Sequence, residues 1–132
     1  MKIRIPNSEL LNISNPSLQI PDHDLASGFQ RRVLTLVNDF HRELSDDFEV
    51  GGQLVSFGKT IEFSFTSVGF WNPALISFSG MLDDGSPIEL VQHISQINIL
   101  LVRKKREAPS EPKRPIGFAK WEEYDAFVGE QD

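Results

Sequence analysis

The feature that most constrains the fold is an alternation. From Thr60 to Val68, Ile61, Phe63 and Phe65 alternate with Glu62, Ser64 and Thr66. Successive side chains of a strand point to opposite faces, so this stretch predicts a strand with one buried face and one wet face. Turn signals repeat the unit on both sides. Glu49 to Phe57 reads as a preceding strand, joined by a two-residue turn at Gly58-Lys59 whose twist suits a hairpin. Leu75 to Leu82 reads as a third strand, Asp83-Asp84-Gly85 as a turn, and a fourth strand begins near Pro87, where Ile88 and Leu90 alternate against Glu89. The result is a meander of at least four antiparallel strands. Gly51-Gly52 interrupts the first strand and predicts a bulge or a close backbone approach. A phosphate loop would need a helix and a Lys that do not follow.

Helical spacing flanks the meander. Leu25, Phe29, Val33, Leu36, Val37, Phe40 and Leu44 recur at three and four, which predicts an amphipathic helix over 25–44 with Asp24 as its N-cap. Arg31, Arg32, Asp39, His41, Arg42 and Glu43 fall on the solvent side of that helix, and Ser45-Asp46-Asp47 ends it. Ser95 is placed to cap a second helix running to about Lys104, with Ile97, Leu100 and Leu101 inward and Pro109 and Pro112 closing it. Trp121, Tyr124, Phe127 and Val128 predict a short final helix. Residues 1–24 carry Pro6, Pro16 and Pro21 and read as an extended arm, one that could cross to a neighbouring subunit. The expected architecture is therefore α+β, a single domain over residues 25–128.

Composition excludes several chemistries. There is no Cys among the 132 residues, so disulfides, thiol catalysis and Cys-ligated zinc drop out. No apolar run approaches the roughly 18 residues of a membrane span, and the N-terminus lacks the pattern of a secretory signal, which gives a cytoplasmic expectation. The net charge of -6 argues against nucleic acid polymers and anionic membranes as partners. The cations are nonetheless uneven. Arg103, Lys104, Lys105, Arg106, Lys113, Arg114 and Lys120 supply seven of the thirteen, against only Glu107 and Glu111 in the same stretch. Such a run either complements a helix C-terminus or meets a small anion.

No motif specifies catalysis. The nucleophile elbow, the zinc-binding His-Glu-x-x-His, the phosphate loop and the dinucleotide fingerprint are all missing, and no catalytic residue, metal ligand or cofactor is assigned. Asp22-His23-Asp24 has ligand-type side chains but lies in the arm, and His41 has no partner His at helical spacing. Binding has more support. Phe70 and Trp71 sit between Gly69 and Asn72-Pro73, where the chain is expected to turn; they are either core or a platform for stacking a nucleobase. Gln92, His93, Gln96 and Asn98 gather donors and acceptors on a strand-to-helix passage, as caps or as an anion site.

These residues also carry a resemblance. The segments Gly69-Phe70-Trp71-Asn72-Pro73, Asp84-Gly85, Leu90 through Asn98 and Arg114-Pro115-Ile116-Gly117-Phe118 resemble a small family of phage and bacterial proteins of unknown function, over about residues 28 to 120. The family is identified here with the first Thoeris anti-defence family, phage proteins that capture cyclic ADP-ribose-type signals and starve an immune effector. The resemblance implies a non-enzymatic homo-oligomer that sequesters a small cyclic nucleotide, a cyclic ADP-ribose isomer or a cyclic dinucleotide, in the host cytoplasm. Asn98, Arg114 and Phe118 match the motif positions, with Arg103 a further candidate for the pyrophosphate. Ala119 stands where the family more often has a basic residue, which weakens a role for Lys120. The rival readings are a module that binds a host protein and a phosphodiesterase-like enzyme lacking an identifiable base or metal set.

Overall fold

The computed structural model describes residues 24–56 and 58–130. Helix α1 (Ala26–Glu43) leads into β1 (Phe48–Ser56), β2 (Lys59–Trp71), β3 (Leu75–Met81) and β4 (Pro87–His93). One 3-10 turn (Ile94–Gln96) precedes β5 (Leu100–Lys105), and α2 (Trp121–Gly129) follows. The strands form a single antiparallel sheet in the order β4-β3-β2-β1-β5, so the class is α+β as expected. Residues 1–23 of the expected arm lie outside the described residues.

One face of the sheet is dry. Val50, Phe63, Phe65, Val68, Ile76 and Phe78 pack against Leu34 and Val37 of α1 and against Ile116. Phe65 and Val68 differ by an odd number of residues, which an unbroken pleat would send to opposite faces. The register shift between Phe65 and Ser67 adds one residue to β2 and returns Val68 to the inner face. Ser64, Ser67, Ser77 and Ser79 fall on the outer face. The link from β4 to β5 crosses the inner face, where Ile94, Ile97 and Ile99 add to the core.

Several expectations are corrected. The predicted helix from Ser95 to Lys104 is a 3-10 turn followed by a strand, with Leu100 to Lys105 laddered onto Gln53 to Phe48 of β1. Leu100-Leu101-Val102 suits helix or strand locally, and the free edge of β1 decides for strand. Ser95 caps nothing: His93 is the N-cap residue, and its ring accepts from the Ser95 N–H. At α1 the cap position is Leu25, not Asp24, and makes no side-chain cap bond. The first-turn amides are met from afar, Ala26 N–H by the Pro73 carbonyl at 2.8 Å and Ser27 N–H by Asn72 Oδ1 at 2.9 Å.

The α1 stripe is also rotated relative to expectation. Leu36 is 64% exposed, whereas Leu34, Val37, Asn38 and His41 are buried because the strap (residues 106–120) and α2 cover the flank that a lone helix would show to water. Strand limits shift modestly. Ser56 pairs with Lys59, which puts Gly58, at φ 77°, in the two-residue connection and Lys59 in β2. Phe70 and Trp71 end β2, and the turn follows them at Asn72-Pro73, a cis peptide. Of the two Gly51-Gly52 readings, close approach holds. A Cβ on Gly52 would lie 2.6 Å from Phe63 Cζ and 2.9 Å from Phe65 Cζ, and one on Gly51 would overlap the Lys104 stem.

Candidate functional site

The cationic stretch is a strap, and hydrogen bonds hold it to α1. Asn38, fully buried, accepts from Ile116 N–H at 2.7 Å and donates to the Ile116 carbonyl at 3.0 Å. His41 Nδ1 accepts from Val50 N–H at 3.1 Å, which leaves the hydrogen on Nε2 to donate to the Arg114 carbonyl at 2.9 Å. Trp121 Nε1 donates to the Lys113 carbonyl, and Gly117 N–H to Thr66 at the β2 irregularity. Gly117 turns the strap at φ 84°, a conformation that costs glycine least.

Among the described residues, four of the seven cationic side chains have partners, two of them within this framework. Lys113 Nζ donates to the carbonyls of His41, Leu44 and Ser45 at 2.8 to 3.1 Å, closing the C-terminus of α1 where the helix dipole favours a cation. The dipole-complementing role expected of the run is thus real, but it serves α1. Burial lowers the Lys113 pKa, Arg106 adds to the effect, and Asp46 and Glu49 oppose it. Arg106 donates to the carbonyls of Asp46 and Glu111, both at 2.7 Å. Lys104 lies across Gly51 to Asp83 at 2.6 Å and Glu62 at 3.5 Å. Its burial would lower its pKa, but the Asp83 bond and the two carboxylate charges outweigh that and the net shift is upward. Arg103 stacks on the Phe48 ring, 4.2 Å from its centroid.

Arg114 differs. Its side chain is exposed and, like those of Lys105 and Lys120, has no hydrogen bond or ion pair among the described residues. It lines a cleft of about 780 Å³ with Thr66, Arg106, Gly117, Phe118 and Glu123, a volume suited to a ligand of nucleotide size. Phe118 lines the same cleft and rests on Tyr124 and Phe127. A second hollow of about 610 Å³, lined by Arg103, Lys104, Lys105, Glu62 and Asp83, adjoins it through Glu49, Arg106 and Glu111.

The candidate residues fall into separate groups. Arg114 and Phe118 share the cleft. Phe70 with Gln92, and Trp71 with His93, flank the same β3 rungs, Ile76 and Leu75, at the other end of the sheet. Phe70 and Trp71 are 48% and 76% exposed, so the core reading fails for both. The helix N-terminus that was to present amides at Gln92 to Asn98 is absent. Gln92 Nε2 donates to the Gln96 carbonyl at 3.2 Å, its Oε1 is buried without a partner among the described residues, and Asn98 is exposed on the crossover. Asn72, the residue after Trp71, meets the start of α1 at Ser27, and the Arg114 carbonyl meets its end at His41. Fourteen residues separate these helix positions, about 21 Å at 1.5 Å per residue, so the two groups lie toward opposite ends of α1.

His41, expected on the polar side, is 3% exposed. Burial, helped by the Lys113 and Arg106 charges and opposed by its bond to Arg114, lowers its pKa to about 4. It is neutral at physiological pH, with both ring nitrogens occupied. Sequence reading also missed the structural parts of Lys113, Arg106 and Asn38. Among the described residues no group of three or more His, Cys, Asp or Glu is placed to hold a metal ion, and no helix is long and apolar enough to cross a membrane.

Residues 19–119 match the model of a family described as of unknown function (DUF6173), and the match brings no activity with it. No curated protein and no solved structure matches the chain.

Proposed function

We propose, for a chain that belongs to the DUF6173 family of unknown function, that it binds and sequesters a small cyclic nucleotide in the cleft under the strap. The observation that carries this reading is Arg114, a guanidinium without a side-chain partner among the described residues, beside Arg106 and Lys113, whose donors are already taken by backbone carbonyls. A guanidinium presents paired donors that fit phosphate oxygens. Phe118 supplies the aromatic surface for the base within the same cleft. The resemblance to the Thoeris anti-defence family, carried by Arg114 to Phe118, supports a cyclic ADP-ribose isomer or a cyclic dinucleotide as the ligand class and sequestration in place of turnover.

The test is calorimetric titration with a panel of cyclic dinucleotides and cyclic ADP-ribose isomers, followed by heat denaturation and assay of the released nucleotide. Intact nucleotide is expected. Arg114→Ala should abolish binding without loss of folding, and Arg114→Lys should weaken it because the planar fork is lost. Equal affinity in all three proteins refutes the assignment of Arg114, and altered nucleotide points to the enzyme reading. Binding of no nucleotide leaves the protein-binding reading, which the exposed Trp71, Leu75 and Val91 at the far end of the sheet favour.

A further inference from the structure

The two edges of the sheet differ in how they are guarded. An edge strand presents unpaired N–H and C=O groups to any other chain, and proteins commonly blunt it with Lys, internal Pro or a bulge. At one edge, β5 carries Arg103, Lys104 and Lys105. At the other, β4 (Pro87-Ile88-Glu89-Leu90-Val91-Gln92-His93) has no Lys or Arg and has Pro only as its first residue. Its register against β3 is unbroken from Pro87 to His93. Val91, on the outer face of this edge, is 57% exposed, and Leu75 and Trp71 continue the apolar surface inward along neighbouring rungs.

We propose that β4 is a self-association edge. Two copies of this chain pair β4 with β4, antiparallel, about a two-fold axis at Val91, and their sheets join into one of ten strands. The register follows from side-chain chemistry, because directly opposed residues on one face interact while like charges repel. With the axis at Val91, the two valines face each other and Glu89 faces His93 of the second copy, twice by symmetry. An axis at Glu89 would oppose two carboxylates, and one at Leu90 would set Glu89 against Val91. His93 is prepared for its part. Its Nδ1 accepts from Ser95 N–H at 3.1 Å, which keeps the hydrogen on Nε2, where it can donate to a carboxylate. This association needs no ligand and stands apart from the reading of the cleft.

The chain has no cysteine, so introduced cysteines report proximity without background. Under mild oxidation the full-length Val91→Cys protein should form a covalent dimer, since opposed residues bring their Cβ atoms within disulfide reach. Glu89→Cys alone should not, because the two positions would lie about 13 Å apart along the strands. The double variant with Glu89→Cys and His93→Cys should cross-link. By light scattering the unmodified protein should be dimeric, and Val91→Lys should reduce it to a monomer with an unchanged circular dichroism spectrum. A wild-type monomer at millimolar concentration, a Val91→Lys protein that stays dimeric, or cross-linking of Glu89→Cys as efficient as that of Val91→Cys would each overturn the proposal.

Discussion

His41 should make stability depend on pH in a defined window. In the fold its pKa lies at about 4 against 6.5 for a free imidazole, chiefly because burial disfavours the cation. Between these values the unfolded chain binds a proton that the native protein refuses. Stability from this group is therefore complete above pH 6.5 and is lost as pH falls toward 4. Integrating the two titrations from pH 8 to pH 5 gives a loss of about 2 kcal/mol, a substantial share of the 5 to 15 kcal/mol typical of a domain. The assay is urea denaturation at several pH values, comparing wild type with His41→Phe. The substitution keeps a ring against Trp121 but leaves the Val50 N–H and the Arg114 carbonyl unpaired, at about 1 to 3 kcal/mol each. The variant should be less stable at pH 8, yet should lose about 2 kcal/mol less than wild type on going to pH 5. His23, His93 and the carboxylates are common to both proteins and cancel in the comparison. An equal loss in the two proteins would refute the argument.

Three further outcomes are expected. Lys113→Met removes the donor to three carbonyls at the end of α1 and should lower the urea-derived stability by about 2 kcal/mol, with the loss seen as earlier fraying of α1 in hydrogen exchange. Gly52→Ala drives a methyl group into the Phe63 and Phe65 rings and should cost about 1 to 3 kcal/mol by the same measurement. Trp71→Ala, at a side chain 76% exposed, should leave stability within about 0.5 kcal/mol of wild type; a fall of several kcal/mol would return that ring to the core.

How much of this was legible depended on whether a signal was local. The alternation of Ile61, Phe63 and Phe65, the Asp83-Asp84-Gly85 turn and the helical spacing after Leu25 are set by backbone geometry over a few residues. They identified the α+β class, three of the strands closely and both terminal helices. Gly51-Gly52 likewise announced a close approach, though not what would approach. Leu100 to Lys105 could not be read in the same way, because a short run of Leu and Val satisfies helix and strand equally. What resolves it is the hydrogen-bonding edge of β1, about fifty residues earlier in the chain.

The site followed the same division. The sequence by itself determined that cations cluster between Arg103 and Lys120, that the chain has no thiol chemistry, and that Phe70 and Trp71 adjoin a turn. Only the tertiary structure decided which of those cations remain available. Lys113 and Arg106 satisfy backbone carbonyls at the end of α1 and within the strap, Lys104 is neutralised over Gly51, and Arg114 alone of these four lacks such a partner among the described residues. It likewise decided that His41 is buried, against expectation, and that of the two readings open for Trp71 the exposed one holds. The physical reason is that a side chain's charge, protonation and exposure depend on what folds over it, and strap and helix, like the strands of the sheet, meet across separations that no local pattern spans.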